Sequence, residues 1–188
     1  MKEYLVGFDA REIDKSNKYN MAQLKADSEE FLTVDTMIWR TIFDRDVWSK
    51  LPTEKSLRQH TWRHLPELYK ALENRTEQYY LIAITRIENE DEDLSLKYLD
   101  TIPNVVSDKW TLLGYDVASD SLLSGLTNVG FDADQFQALQ TTYSDKINKY
   151  HLFKTPESAK LFAEWARNSP EHKTHDTIYI FGLCEINL

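Results

Sequence analysis

The run Gln78–Ile87 decides the fold class, because its centre, Tyr79-Tyr80-Leu81-Ile82-Ala83-Ile84, is almost continuously apolar. An apolar run this short predicts a β-strand that is covered on both faces of its sheet. Three further runs are similarly short and rich in β-branched and aromatic residues, and each is bounded by polar or acidic residues. These three predicted strands are Tyr4–Asp9, Trp110–Val117 and Thr177–Ile186.

Between these runs the apolar residues recur at helical spacing. Asp134–Tyr150 carries an apolar stripe at three- and four-residue steps, which predicts a helix. Thr155-Pro156-Glu157 predicts the start of another, with Thr as N-cap and Pro at the first helical position. Two more helices are predicted over Asn20–Leu32 and Asp35–Lys50. The helix that Thr155 opens should bury Ala159, Phe162, Trp165 and Ala166.

A further helix is predicted after Thr53, with Pro66 kinking or restarting it. Its predicted apolar side carries Leu57, Thr61, His64 and Leu68. Strands separated by unequal numbers of helices predict an α+β (mixed α/β) fold, with a central sheet of about four strands and several helices packed on it. The length of 188 residues suits one globular domain, 1–188, and no linker composition divides the chain.

One short internal likeness is present. Leu5-Val6-Gly7-Phe8-Asp9 resembles Leu112-Leu113-Gly114-Tyr115-Asp116. Two similar strand ends in a small domain arise more often by coincidence than by duplication, so we expect coincidence here.

From the N-terminal sequence, the lack of a long apolar run and the single cysteine, we expect a cytoplasmic protein. The N-terminus lacks the apolar segment and cleavage site of a secretory signal, and no apolar run approaches the roughly 18 residues that span a bilayer. Cys184 is the only cysteine, which excludes an intrachain disulfide and a cysteine-based zinc site. It stands in the apolar run Ile178–Ile186, so we expect a buried core thiol rather than a nucleophile.

The formal net charge of −9 is confined to one part of the chain. Residues 88–134, the acidic segment, contain only Lys97 and Lys109 as bases, and the rest of the chain is neutral. An acidic protein is a poor binder of nucleic acid or of an anionic membrane. The acids of the segment are Glu88, Glu90, Asp91, Glu92, Asp93, Asp100, Asp108, Asp116, Asp120, Asp132 and Asp134.

The densest acids, Glu88–Asp93, directly follow the central strand and admit two main interpretations. One is a solvated turn that favours the start of a helix near Leu94. The other is a patch that meets a basic partner, where clustered charge raises the association rate and selects against like-charged competitors. A site for a hard cation is a third and weaker interpretation, because the run lacks the glycine and the terminal glutamate of an EF-hand loop.

Few residues suggest catalysis. There is no phosphate-binding glycine loop, no nucleophile elbow and no zinc-protease helix, so we expect no cofactor and no metal. The pairs His60 and His64, and His172 and His175, lack a partner ligand at metal spacing. Asp9 and Asp116 stand at predicted strand ends, where α/β active sites often lie, and they carry the alternative of a small hydrolase. An acidic adaptor or structural domain is the other alternative.

Trp110-Thr111-Leu112-Leu113-Gly114-Tyr115-Asp116-Val117-Ala118, running into Asp120-Ser121-Leu122-Leu123-Ser124-Gly125-Leu126-Thr127-Asn128, resembles a segment of bacterial immunity proteins. These small cytoplasmic antidotes are encoded beside polymorphic toxins, including those of contact-dependent growth inhibition. The resemblance implies a non-enzymatic protein that binds the C-terminal domain of its cognate toxin and blocks the active site.

Many such toxins are nucleases with a basic groove for phosphate, which an acidic antidote fits as a nucleic-acid mimic. On charge alone, the acidic segment supplies the expected contacts with the toxin. The expected contact residues are Glu88, Glu90, Asp91, Glu92, Asp93, Asp116, Asp120, Asp132 and Asp134.

Overall fold

The computed structural model describes residues 3–11, 61–62, 64–74, 79–87, 109–119, 138, 141–168 and 178–187. Within them lie one antiparallel sheet of four strands and a few helices, so the predicted α+β fold is confirmed. Each predicted strand forms; the bounds differ from the prediction by one or two residues at five of the eight ends and coincide at the other three. The strands are β1 (Glu3–Arg11), β2 (Tyr80–Ile87), β3 (Trp110–Ser119) and β4 (Ile178–Ile186).

The strand order is β1-β2-β4-β3, and every neighbouring pair is antiparallel. The run that predicted a central strand, β2, therefore lies inside the sheet, between β1 and β4. Its residues Leu81–Ile87 are all buried, as expected for a strand that is covered on both faces.

Two α-helices in the described part of the chain pack on this sheet. Helix α1 (Leu65–Leu72) contacts β1, and helix α2 (Pro156–Asn168) contacts β3 and β4. The predicted start of α2 is confirmed, because Thr155 Oγ1 accepts a hydrogen bond of 3.2 Å from the Ser158 N–H. Three of its four predicted core residues, Ala159, Phe162 and Ala166, are buried, and Trp165 is half-buried.

The helix predicted after Thr53 was wrong at Thr61 and Trp62, but the restart predicted at Pro66 is confirmed. Thr61 and Trp62 are extended, and Trp62 exchanges two backbone hydrogen bonds of 2.7 Å with Phe8 of β1. Helix α1 begins only at Leu65, with Pro66 in its first turn, so the proline marks a start rather than a kink. Pairing with a distant strand overrode the local helical spacing here; residues 53–60 lie outside the described part.

The helix predicted over Asp134–Tyr150 was wrong at its C-terminal end. Residues 141–143 are helical and Ser144–Lys146 form a 3₁₀ turn, but Ile147 is extended and bridges Phe153. Asn148 stabilises the turn that follows, since its Oδ1 accepts the Tyr150 N–H at 2.9 Å, and its Nδ2 joins the turn to β3 by donating to the Leu113 carbonyl at 2.6 Å. The predicted helices Asn20–Leu32 and Asp35–Lys50 lie outside the described residues.

Each edge strand of the described sheet carries a bulge beside a glycine. The register shifts between Leu5 and Gly7 in β1, and between Leu112 and Gly114 in β3. An extra residue changes which side chains face which side of a sheet. Apolar clusters consequently occupy both faces of the sheet. One contains Ile82, Ile84, Phe181 and Leu183, and two others join α1 and α2 to the opposite face.

Gly114 is required by its backbone as well as by its surroundings. Its φ of +153° is one that side-chain-bearing residues rarely adopt, and a Cβ there would lie 2.7 Å from Leu152 Cβ. We predict that Gly114→Ala lowers the free energy of unfolding by about 2–3 kcal/mol, measured by urea denaturation.

Lys160→Ala serves as the control, because Lys160 is exposed on α2, and it should change stability by less than about 0.5 kcal/mol. Equal stability of the two variants would show that neither the dihedral angle nor the close approach constrains Gly114.

Candidate functional site

Of the nine predicted contact residues, the structure describes only Asp116. Its side chain is 0% exposed, so the expectation that it contributes to an acidic surface was wrong. The Asp116 carboxylate accepts the Val117 N–H at 2.8 Å instead. The bulge at Gly114 turns this carboxylate toward a covered face of the sheet. The other predicted contacts lie outside the described residues: Glu88, Glu90, Asp91, Glu92, Asp93, Asp120, Asp132 and Asp134.

The described strands nevertheless fix where the acidic segment joins the sheet. Ile87 and Val117 lie on either side of Ile180, because β2 and β3 both pair with β4 and run in the same direction. The strands β2 and β3 therefore end at the same end of the sheet, separated there by two strand spacings, about 10 Å. The chain continues from these ends into Glu88 and Asp120 respectively.

Asp9 and Asp116, the aspartates of the enzyme hypothesis, lie within strands rather than at strand ends. Strand β1 continues to Arg11 and β3 to Ser119, which corrects the predicted ends. Asp9 is 1% exposed, and its Oδ1 accepts the Ala10 N–H at 2.8 Å, the same contact that Asp116 makes with its own neighbour. Since neither carboxylate meets solvent, a substrate does not reach them in this structure.

Arg11 is the buried partner of Asp9. Its Nε donates to Asp9 Oδ2 at 2.8 Å, and both side chains are only 1% exposed. Burying two charges is costly unless they are paired, and breaking such a pair leaves the remaining charge stranded. This contact therefore gives Asp9 a structural role.

A second buried guanidinium, Arg86, was not singled out by the sequence. It is 3% exposed and lies 3.7 Å above the ring centroid of Tyr179, a cation–π contact. Arg86 and Asp116 flank Phe181 in one row across the sheet. The signal in the sequence was an arginine within the apolar run of β2, because a buried charge requires contacts inside the protein.

We predict that Asp9→Asn lowers the free energy of unfolding by about 3 kcal/mol, because it removes the negative charge beside buried Arg11. The matched control is Asp145→Asn, since Asp145 is 79% exposed and lies 3.3 Å from Lys146. It should cost less than about 0.5 kcal/mol in the same chemical denaturation. A cost for Asp9→Asn as small as that of the control would argue against the structural role.

Glu3, Thr85 and Cys184 form a polar centre on the helix-bearing face. Thr85 Oγ1 donates to a carboxylate oxygen of Glu3 and approaches the Gly182 carbonyl at 3.3 Å. A Cβ on Gly182 would lie 2.6 Å from Thr85 Oγ1 and 3.0 Å from Glu3 Oε1. Gly182 thus leaves the space that the Glu3 carboxylate and the Thr85 hydroxyl occupy.

The prediction that Cys184 is a buried core thiol is confirmed. Cys184 is 4% exposed, and burial, with a smaller effect of the Glu3 carboxylate, raises the pKa of its thiol to about 12. Burial, Glu3, Cys184 and Glu157 raise the pKa of Tyr115 as well. A thiol that stays protonated at neutral pH is a poor nucleophile, so Cys184 is unsuited to covalent catalysis in this setting.

We predict that Cys184 in the folded protein reacts with a disulfide reagent at pH 8 at least about 100-fold more slowly than in the urea-unfolded chain. The rise in absorbance of the released thiolate gives both rates. Equal rates would show that the thiol is accessible and ionised.

The same shift predicts a pH dependence of stability. The unfolded thiol ionises near its ordinary pKa of 9.0 and the folded one near 12, so stability falls as the pH rises through this window. Cys184→Ala should lose less stability than the native chain between pH 8.5 and 10.

The candidate metal ligands do not converge in the part of the chain that the structure covers. His64 is exposed and precedes α1, while His60, His172 and His175 lie outside the described residues. Among the described side chains, no group of three or more His, Cys, Asp or Glu residues is placed to hold a metal ion. Within the same residues, no helix has the length and apolar character needed to cross a membrane.

Comparison of the chain with family models, curated proteins and solved structures finds no match in any of the three.

Proposed function

We propose that this chain is a cytoplasmic immunity protein that binds a cognate bacterial toxin domain, a nuclease, and occludes its basic active site with an acidic surface. The observation that carries the proposal is the position of the charge. Residues 88–134 hold the entire net charge of −9, and the remainder of the chain is neutral. A solubilising charge would have no reason to concentrate in this way.

The strand directions support a single acidic surface. Glu88–Asp93 follow the end of β2, and Asp120 follows the end of β3. Both strands end at one end of the sheet, about 10 Å apart. That spacing is comparable to the Debye length at physiological salt, so charges carried there act together on an approaching partner.

The chemistry of the partner follows from the sign of the charge. A phosphate-binding groove must be lined with basic side chains, because it compensates the charge of the nucleic-acid backbone. Carboxylates set at comparable spacing compete for the same groove without offering a bond that the enzyme cuts. Electrostatic attraction of this kind raises the rate of association, and buried contacts then set the rate of dissociation.

The part of the resembling segment that the structure describes contributes several residues to the core, although Thr111 and Leu112 are exposed. It forms most of β3, and Leu113, Gly114, Asp116, Val117 and Ala118 are all buried. Where these buried residues resemble those of immunity proteins, the resemblance reflects the fold rather than contacts with a toxin. The proposed contacts are the remaining acids, namely Glu88, Glu90, Asp91, Glu92, Asp93, Asp120, Asp132 and Asp134.

We predict that replacing Glu90, Asp91, Glu92 and Asp93 by lysine slows association with the toxin domain at least about tenfold at low salt. The probe is the C-terminal domain encoded by the gene immediately upstream, and stopped-flow fluorescence gives the rate. The fold should be unchanged, which circular dichroism checks.

The control reverses four acids on the described surface, Glu67, Glu73, Asp145 and Glu164, which are all exposed. This variant changes the net charge equally, so its association should slow much less. If both variants associate equally slowly, the net charge of the protein, and not the position of the acids, determines the association rate. A native chain that neither binds this domain nor inhibits its nuclease activity would refute the proposed function.

A further inference from the structure

The two similar segments of the sequence occupy equivalent places in the sheet. Leu5–Asp9 lies in β1 and Leu112–Asp116 in β3, the two edge strands of the described sheet. Each strand has its bulge immediately before the glycine of the segment. In each, the aspartate Oδ1 accepts the N–H of the next residue at 2.8 Å. Coincidence of five letters does not by itself produce these shared details.

The chain that follows each edge strand repeats the same bridge. Phe8 exchanges backbone hydrogen bonds of 2.7 and 2.7 Å with Trp62, and Tyr115 exchanges bonds of 2.9 and 2.7 Å with Phe153. The residue before each bridge fills the space above the glycine: a Cβ on Gly7 would lie 2.8 Å from Thr61 Oγ1, as one on Gly114 would lie 2.7 Å from Leu152 Cβ.

The helices and the inner strands continue the correspondence. Helices α1 and α2 each begin three residues after the bridge, at Leu65 and Pro156, with a Pro-Glu pair in the first turn. Each helix then leads into an inner strand. Aligned along their length, β2 and β4 read Tyr-Leu-Ile-Ala-Ile-Thr-Arg-Ile and Tyr-Ile-Phe-Gly-Leu-Cys-Glu-Ile.

The pairing of β2 with β4 obeys the same symmetry. The alignment matches Arg86 with Glu185, and Ile82 with Phe181. Exchanging the matched residues turns the pair Arg86↔Phe181 into Glu185↔Ile82, and the sheet contains both pairs. The pair Ile84↔Leu183 is converted into itself, which places it on a two-fold axis. The strand order β1-β2-β4-β3 also reads identically from either edge once the two halves are exchanged.

We infer that this chain is a fused dimer, in which residues 3–87 and 110–186 are two copies of one β–bridge–α–β unit. In one unit alone, β2 would pair with its edge strand on one side and have an open edge on the other. That open edge fits the same edge of a second copy, and in this chain β4 takes that place. Such self-complementary pairing about a two-fold axis is the usual interface of homodimers. Residues 88–109, which include Glu88–Asp93, are then the linker between the units.

The symmetry requires the two connections between the units to span the same distance. The linker runs from Ile87, opposite Ile180, to Trp110, opposite Ile186, and so crosses two strand spacings diagonally, about 22 Å. The path from the end of β4, Ile186, to the start of β1, Glu3, is its symmetry mate and has the same length.

The test is a circular permutant in which residues 110–188 come first, residues 88–109 follow, and residues 1–87 come last. Every native residue is retained. The permutant should be monomeric by light scattering, give the native circular dichroism spectrum and melt cooperatively within about 5 °C of the native chain. A permutant that stays unfolded would overturn the inference.

A second permutant joins Ile186 to Glu3 through only three residues, whose greatest reach is about 14 Å. Its halves cannot pair within one chain, so they should exchange between two chains and give a discrete dimer. A folded monomer from this short-linker permutant would overturn the equal-span geometry and the inference with it.

Side-chain equivalence is tested at the centre of the sheet, where Ala83↔Cys184 and Gly182↔Thr85 are symmetry mates. Gly182→Ala alone should destabilise the chain, since its Cβ would lie 2.6 Å from Thr85 Oγ1. Adding Thr85→Cys recreates the Ala–Cys pair of the other unit and should restore most of the lost melting temperature. No recovery in the double variant would show that the two centres are not equivalent and would count against duplication.

Discussion

The antiparallel pairing of β2 with β4 is the contact on which the rest of the described structure depends. Strand β1 pairs within the sheet only with β2, and β3 only with β4, so the central pair connects everything else. Ile82, Ile84 and Leu183 are fully buried along it, and Phe181 is 1% exposed. A slip of one residue in this register would turn each buried side chain to the opposite face. The register is therefore fixed by burial on both sides.

The two bulged glycines extend that constraint to the edges of the sheet. By admitting one extra residue, each bulge re-aims the following side chains, which places Asp9 and Asp116 on a covered face. A carboxylate in that position needs partners inside the protein. Asp9 has Arg11, and both aspartates accept a neighbouring backbone N–H. The burial of both aspartates is thus a consequence of how the edge strands fold, and it gives them structural contacts rather than access to a substrate.

The sequence was informative where the structure is decided locally. Short apolar runs predicted all four strands, and Thr155-Pro156 predicted the start of α2, because strand burial and helix capping depend on adjacent residues. The failures were non-local. Thr61 and Trp62 left their predicted helix to pair with Phe8. Ile147 left its own to bridge Phe153, which itself pairs with the distant Tyr115 of β3. Nothing in the nearby sequence announces a partner that is distant along the chain.

The prediction that Asp9 and Asp116 lie at strand ends was wrong for a related reason. Both strands continue, through Ala10 in β1 and Val117 in β3, into residues that are paired across the sheet. The likeness of Leu5–Asp9 to Leu112–Asp116 was a stronger signal than five letters suggested. The likeness became significant through the matching bulges and bridges, which are features of the three-dimensional structure.

The division of charge follows from the same architecture. Strand pairing and helix packing require apolar faces, and the charged groups that the described units bury have contacts inside the protein. Arg11 pairs with Asp9, and Arg86 lies over the Tyr179 ring. Most of the net charge lies in the chain that connects the units and in the stretch that follows β3. None of the strand pairs in the described part of the chain includes the acids of these two stretches, whereas a charge added between β2 and β4 would be buried. Asp116, the acid of the acidic segment that the structure describes, is part of the core.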